Sequence, residues 1–165
     1  MSLLNICTYP DDVLKQECEP IESVGDVERK LVKDMIETML ENQGVGLAAP
    51  QVGVLRSIIV CAPKGTAGQV HVFFNPVITK KHGEVRDTEG CLSLPCASGE
   101  VTRAKKIWVD ALDRDGKPVS FKATDFFARI IQHETDHLHG VLFIDHLGFA
   151  ARKEAIDCAI RVKKL

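Results

Sequence analysis

His133-Glu134-Thr135-Asp136-His137 decides how the rest of this chain is read. Residues four apart on a helix share one face, one turn apart, so the two imidazoles can offer two nitrogens to one metal ion. The carboxylate of Glu134 stands beside them, placed to act as general base toward an activated water. The pattern is H-E-x-x-H; the plain alternative is a surface helix carrying two solvated histidines. The surrounding sequence predicts a helix over residues 125–139, with Thr124 as N-cap and Gly140 just past its end.

A catalytic metal site of this kind takes three protein ligands, so a third must lie outside the motif. The metzincin pattern continues x-x-G-x-x-H. Gly140 fits its glycine, but Phe143 stands where the third histidine belongs. A carboxylate from a later helix would have to be Glu154, 17 residues downstream, on a short amphipathic segment. That points to a third ligand upstream and turns attention to the six cysteines, Cys7, Cys18, Cys61, Cys91, Cys96 and Cys158, which form no C-x-x-C pair. Cys91 stands apart in Thr88-Glu89-Gly90-Cys91-Leu92-Ser93-Leu94-Pro95. Gly90 permits close backbone approach and Pro95 closes the segment, which ranks Cys91 ahead of Cys96 as third ligand.

The N-terminus has no basic region followed by an apolar run, and no 18-residue apolar stretch occurs. The expectation is a cytoplasmic protein with reduced cysteines, most of them small core hydrophobes. Hydrophobic residues make up 45% and charged residues 27%, which excludes a disordered chain. A net charge of −2 gives no general argument for nucleic-acid binding. With 165 residues and no repeat or linker, residues 1–165 read as a single catalytic domain.

Leu31, Met35, Ile36, Met39 and Leu40 recur at helical spacing and predict a helix over 26–42. Residues 57–62 and 70–79 read as strands around a 64–68 loop, followed by a turn at His82-Gly83. Strands over 101–112 and 119–123 flank Asp113-Arg114-Asp115-Gly116, a hairpin signal. A last helix is expected over 150–162. Strand runs followed by helices predict an α+β fold, with antiparallel or mixed β-sheets wrapped on a central metal-binding helix.

Three stretches, in order, resemble the peptide deformylase family. Gly44-Val45-Gly46-Leu47-Ala48-Ala49-Pro50-Gln51 matches G-x-G-L-A-A-x-Q. Glu89 to Ser93 matches E-G-C-L-S, and Gln132 to His137 matches Q-H-E-x-D-H. Tyr9-Pro10-Asp11 and Leu142-Phe143-Ile144-Asp145 also look like the family, so the resemblance spans nearly the whole chain.

The resemblance implies sheets around a central helix and hydrolysis of the N-formyl group on the initiator methionine of nascent chains, releasing formate. It implies that Cys91, His133 and His137 hold one divalent metal ion. The family's ion is typically Fe2+, while Zn2+, Ni2+ or Co2+ suit the same ligands. It assigns Glu134 as acid–base, with the side-chain amide of Gln51 and the backbone N–H of Leu92 as oxyanion donors. Gly44, Val45, Gly46, Glu89 and Gly90 would line the peptide site. Phe126 and Ile130 join Val45 and the His133 ring as candidates for the methionine pocket, though each of the four could be ordinary core, and for Phe126 and Ile130 core is the favoured reading. Arg103 resembles a family arginine near the substrate strand or a surface residue, and Asp136 reads as supporting or structural. His71, His82, His139 and His146 lack ligand spacing and read as solvated.

Ser98 stands where many family members carry a bulkier or basic residue, which bears on outer peptide contacts only. Residues 149–165 hold Arg152, Lys153, Arg161, Lys163 and Lys164 against Glu154 and Asp157. Phe149, Ile156 and Ile160 are expected to anchor that helix, whose basic face either docks on the ribosome or complements the helix dipole. The expected protein is a monomer with no membrane association. Two rivals are an endopeptidase, disfavoured by the absent third histidine, and a non-catalytic module, disfavoured by intact Glu134 and Gln51.

Overall fold

The computed structural model describes residues 2–165. Seven strands and three α-helices carry the architecture: β1 (Gly46–Ala48), β2 (Ile58–Cys61), β3 (His71–His82), β4 (Val85–Cys91), β5 (Leu94–Arg103), β6 (Lys106–Leu112), β7 (Pro118–Thr124), α1 (Asp26–Glu41), α2 (Asp125–His137) and α3 (Phe149–Lys163). Five strands form an antiparallel sheet in the order β1-β2-β3-β6-β7, and β4 pairs with β5 in a separate antiparallel ribbon. This is the expected α+β arrangement around the central helix α2.

Both faces of the large sheet are covered. Ile59 and Cys61 of β2 pack toward α2 with Phe73, Ile107, Val109, Ala128 and Ile131. Their neighbours Ile58 and Val60 pack with Val32, Met35 and Met39 of α1. Alternate side chains of a strand point to opposite faces, so a strand buried on both sides reads as the continuous apolar run seen here. A third cluster joins Leu94, Ala97 and Val101 of β5 to Phe143, Ile144, Ala155 and Ala159, seating α3 on the ribbon.

The 113–116 hairpin forms as expected. Asp113 Oδ1 accepts from Asp115 N–H at 2.9 Å and Lys117 N–H at 3.0 Å, and Gly116 takes φ 81°. Gly140, past the end of α2, has φ 71°, and an added Cβ would meet the Lys15 carbonyl. Thr124 occupies the N-cap position without a side-chain capping bond.

Four expectations need correction. The single strand over 101–112 is two strands in different sheets. The chain breaks at Ala104-Lys105, where Gln132 accepts from Ala104 N–H at 3.0 Å and donates to its carbonyl at 2.9 Å. A strand at 85–91 was not anticipated, because Val85 to Thr88 are all exposed and show no apolar alternation. Phe149 does not anchor α3: it is 88% exposed, while Ile156 makes that packing contact. Finally, the cysteines are not all free. Cys96 and Cys158 form a disulfide across 62 residues, because the seating of α3 on β5 brings their Cα atoms to 6.1 Å.

Candidate active site

The β4–β5 turn and the helix α2 build the centre together. Pairing steps from Gly90↔Ser98 to Cys91↔Leu94, so Pro95, Cys96 and Ala97 bulge out of β5. A bulge of this kind re-aims neighbouring side chains; here it leaves Cys91 at the ribbon's tip facing α2. His133 and His137 lie one turn apart on α2, their ring centroids 5.2 Å apart. One donor atom each from Cys91, His133 and His137 lies within 4.8 Å of the others. Cys91 Sγ is 3.4 Å from His137 Nε2.

The donor chemistry fits a metal ion. Burial pushes His137 well below the ordinary histidine range, so its ring is neutral and its Nε2 can offer a lone pair. Burial alone would push Glu89 up, but bonds from His133 and Arg103 hold it far below the usual carboxylate range. An ionised Glu89 only accepts, so His133 Nδ1–H donates to its Oε1 at 2.8 Å. Burial would lower the proton affinity of His133, but its bonds to Cys91 and Glu89 raise it well above the ordinary histidine range, so an ion binding at its other nitrogen would displace a proton there. A sulfur and two imidazoles suit zinc, iron, cobalt or nickel rather than calcium or magnesium.

Glu89 is itself held from three sides. Arg103 donates through Nε at 2.9 Å and Nη2 at 3.0 Å, and Arg129 through Nη1 at 2.6 Å. Arg129 also donates to the carbonyls of Val101 and Val85, tying α2 to both ribbon strands. Arg103 Nη1 continues to Asp136 Oδ2 at 2.6 Å, which His146 Nε2 meets at 2.8 Å. Glu89 therefore braces the His133 ring from behind and also borders the main cavity. Arg103, 6% exposed, lies away from the main cavity and lines a separate hollow with Asp136 and His146. His146 and His139 are exposed, as expected, and each also meets a carboxylate, His139 pairing with Glu17 at 2.7 Å.

A cavity of about 630 Å³ opens in front of the cluster. Gly44, Val45, Gly46, Gln51, Glu89, Gly90, Leu92, Phe126 and Ile130 all contribute to its wall, together with Cys91, Arg129, His133 and Glu134. Phe126 is 50% exposed at the rim, whereas Ile130 is buried and serves wall and core alike. Gln51 is oriented by Ala48 N–H, which donates to its Oε1 at 2.9 Å. That turns its Nε2 toward Ser93 Oγ at 3.1 Å and Cys91 Sγ at 3.3 Å. Gly46 is required by contact: an added Cβ would lie 2.5 Å from Glu134 Oε1 and 2.9 Å from Ile130. Burial pushes the Glu134 carboxyl up to about 7, and its Oε2 has no hydrogen-bond partner.

Arg129 escaped the sequence reading. Its signal was present, since it lies four residues before His133 and so shares that face of α2, but a lone arginine on a helix is ordinarily a surface residue.

Residues 3–153 match the polypeptide deformylase family model. Peptide deformylase 1 of Clostridium perfringens is 50% identical over 146 residues, covering 88% of this chain and 99% of that protein. A peptide deformylase of Symbiobacterium thermophilum is 48% identical over 145 residues, covering 88% and 67% respectively. Among solved structures, a peptide deformylase from Legionella pneumophila superposes with TM-score 0.96 at 39% identity, over 99% of this chain and 96% of that one. One from Ehrlichia chaffeensis in complex with actinonin gives 0.91 at 41%, over 99% and 98%. A mixed α+β fold closed around a Cys/His/His cluster defines a metal-dependent hydrolase. The chain belongs to the polypeptide deformylase family.

Proposed function

We propose that this cavity removes the formyl group from N-formylmethionyl peptides, acting as a single catalytic domain. The observation that carries the proposal is Glu134, a buried carboxylate on the cavity wall beside Cys91 and His133, whose Oε2 has no hydrogen-bond partner. Those three residues would hold one divalent ion, which when bound supplies Lewis acidity toward water and the formyl carbonyl. Ferrous iron is the expected ion in the cell, with zinc, nickel or cobalt as substitutes.

The chain's own groups do the rest. Glu134, near 7, takes a proton from water at its free Oε2 and returns it to the departing amine. Gln51 and Leu92 line the cavity, and the Gln51 Nε2–H and Leu92 N–H would serve as donors to the charge that develops on the formyl oxygen. Gly44, Val45 and Gly46 lead into β1, an edge strand of the large sheet, so an extended peptide can pair beside it. Val45, Ile130, Phe126 and the His133 ring offer an apolar pocket to the methionine side chain.

Formylated chains arise where translation occurs, so the proposal places a monomeric enzyme in the cytoplasm. Ribosome contact through α3 would fall to Arg161 and Lys164. The other three cations of that helix already face acids: Arg152 faces Asp145, Lys153 faces Asp157 and Lys163 faces Asp11. Removing residues 161–165 should then weaken low-salt co-sedimentation with ribosomes; equal co-sedimentation would remove the contact.

The function is tested by formate release from formyl-Met-Ala peptides beside acetyl-Met-Ala and unblocked controls, with protein purified without oxygen and reloaded with iron. Formate from the first substrate alone is expected. Cleavage of the Met-Ala bond, or no turnover of the formyl peptide, would overturn the reading.

A further inference from the structure

The Cys96–Cys158 pair joins the wall of the cavity to the C-terminal helix. Cys96 lies in the β5 bulge, is exposed, borders the cavity and takes φ 63°, a left-handed conformation that residues other than glycine adopt at a cost. Cys158 is half-buried on α3, between Ala155 and Ala159, which rest on the ribbon. The ribbon consists of only two strands, and its tip carries Cys91 and Leu92. Beyond its salt-bridged contact with α2, it is braced by α3 and the 143–146 turn. The other four cysteines differ: Cys61 is fully buried, and Cys7, Cys18 and Cys91 have no disulfide partner.

We propose that Cys96 and Cys158 form a thiol–disulfide exchange site whose co-reactant is a low-molecular-weight disulfide or thiol of the glutathione class. Exposed disulfides are the exchangeable ones, because attack needs access to sulfur. In the oxidising direction the Cys96 thiolate attacks one sulfur of the small disulfide, forming a mixed disulfide and releasing one thiol. The Cys158 thiolate then attacks Cys96 Sγ, closing the protein bond and releasing the second thiol. Two electrons pass from the protein dithiol to the small disulfide, and the two cysteine protons end on the two released thiols. Reduction runs the same steps in reverse. The closed form fastens α3 to the cavity wall and stiffens the ribbon; the open form frees it. The effect on peptide binding rests on the function proposed above, whereas the exchange itself does not.

The test uses full-length protein incubated with zinc, under anaerobic conditions, equilibrated across ratios of reduced to oxidised glutathione, then alkylated and mapped by mass spectrometry. Cys96 and Cys158 are expected to convert together between alkylated and linked forms, while Cys61 stays unchanged throughout. Amide hydrogen exchange over residues 85–103 should slow in the linked form. The thermal midpoint should rise by about 5 °C or more, as closing a long loop predicts. Cys158→Ser should match the reduced wild type and show no such response. On formylated peptide, KM should rise at least ~2-fold on reduction of the wild type only, with kcat little changed. The proposal is overturned if the pair stays linked, or stays free, at every ratio. It is equally overturned if Cys158→Ser responds as the wild type does. Absence of turnover would remove the function proposed above and leave the exchange result standing.

Discussion

Glu134 is confined by its neighbours. Gly46 leaves it room on one side and burial raises its proton affinity, while the ligands flank it on α2. Because it is not a ligand in this arrangement, Glu134→Ala should retain one equivalent of metal and lose at least ~10² in kcat. Near-normal turnover of a metal-loaded variant would remove Glu134 from the chemistry. Gly46→Ala should act through the same residue without touching a ligand. Its Cβ would lie 2.5 Å from Glu134 Oε1, so the carboxylate must shift. Metal content should be unchanged and kcat should fall ~10-fold or more, since displacement of a catalytic group by about 1 Å is costly. Cys91→Ala, by contrast, should lose metal, while Cys7→Ala keeps it; equal metal content in the two would refute Cys91 as ligand. The grouping of His133 and His137 with Cys91 was legible in the sequence, because helix geometry fixes i,i+4 proximity and the motif around Cys91 is specific. The role of Glu89 was not. It lies 44 residues from His133, and only folding shows its bond to that ring.

Helix α1 shows how an element is secured far from the chemistry. Glu28 accepts from the Gly25 N–H at 2.8 Å and pairs with Arg56 at 2.7 Å, closing the first turn and joining α1 to the segment before β2. Glu28→Ala should destabilise by ~1 kcal/mol, the usual scale for a lost cap. The Gly25 and Arg56 bonds lower the Glu28 pKa. The folded state therefore binds this proton less readily than the unfolded chain. The associated stability is fully present above the unfolded glutamate value of about 4.3 and is lost as pH falls through the lower folded value. Denaturant midpoints measured from pH 6 down to pH 3 should fall less steeply in Glu28→Gln than in the wild type. Parallel slopes would show that the carboxylate is not linked to folding. The β4–β5 ribbon is the contrasting element. β4 is polar and exposed along most of its length, so nothing in its periodicity marks it as a strand. It exists because Arg129 and the partner strand β5 satisfy it.

For the molecule as a whole, the metal cluster is a junction. Cys91 comes from the ribbon and the two histidines from α2, so a bound ion would cross-link two layers that otherwise meet through Glu89, Arg103 and Arg129. An ion that binds only the folded state adds about 2.7 kcal/mol at a hundredfold excess over Kd. Removal by a chelator should lower the thermal midpoint by about 5 °C or more, and zinc or nickel should restore it. An unchanged midpoint after verified metal loss would mean that the protein ties alone fix the layers. By itself the sequence determined the helix α2 and its paired histidines, the 113–116 turn, the apolar run of β2 and the α+β class. Each of these is written in local periodicity or in the φ a residue can adopt, and needs no distant partner. Tertiary structure alone decided the strand at 85–91, the break at Ala104, the burial of Arg103 and Arg129 around Glu89, and the meeting of Cys96 with Cys158. These depend on which surfaces are buried against each other, and a buried charge or a cysteine pair gains its partner only when segments tens of residues apart pack together.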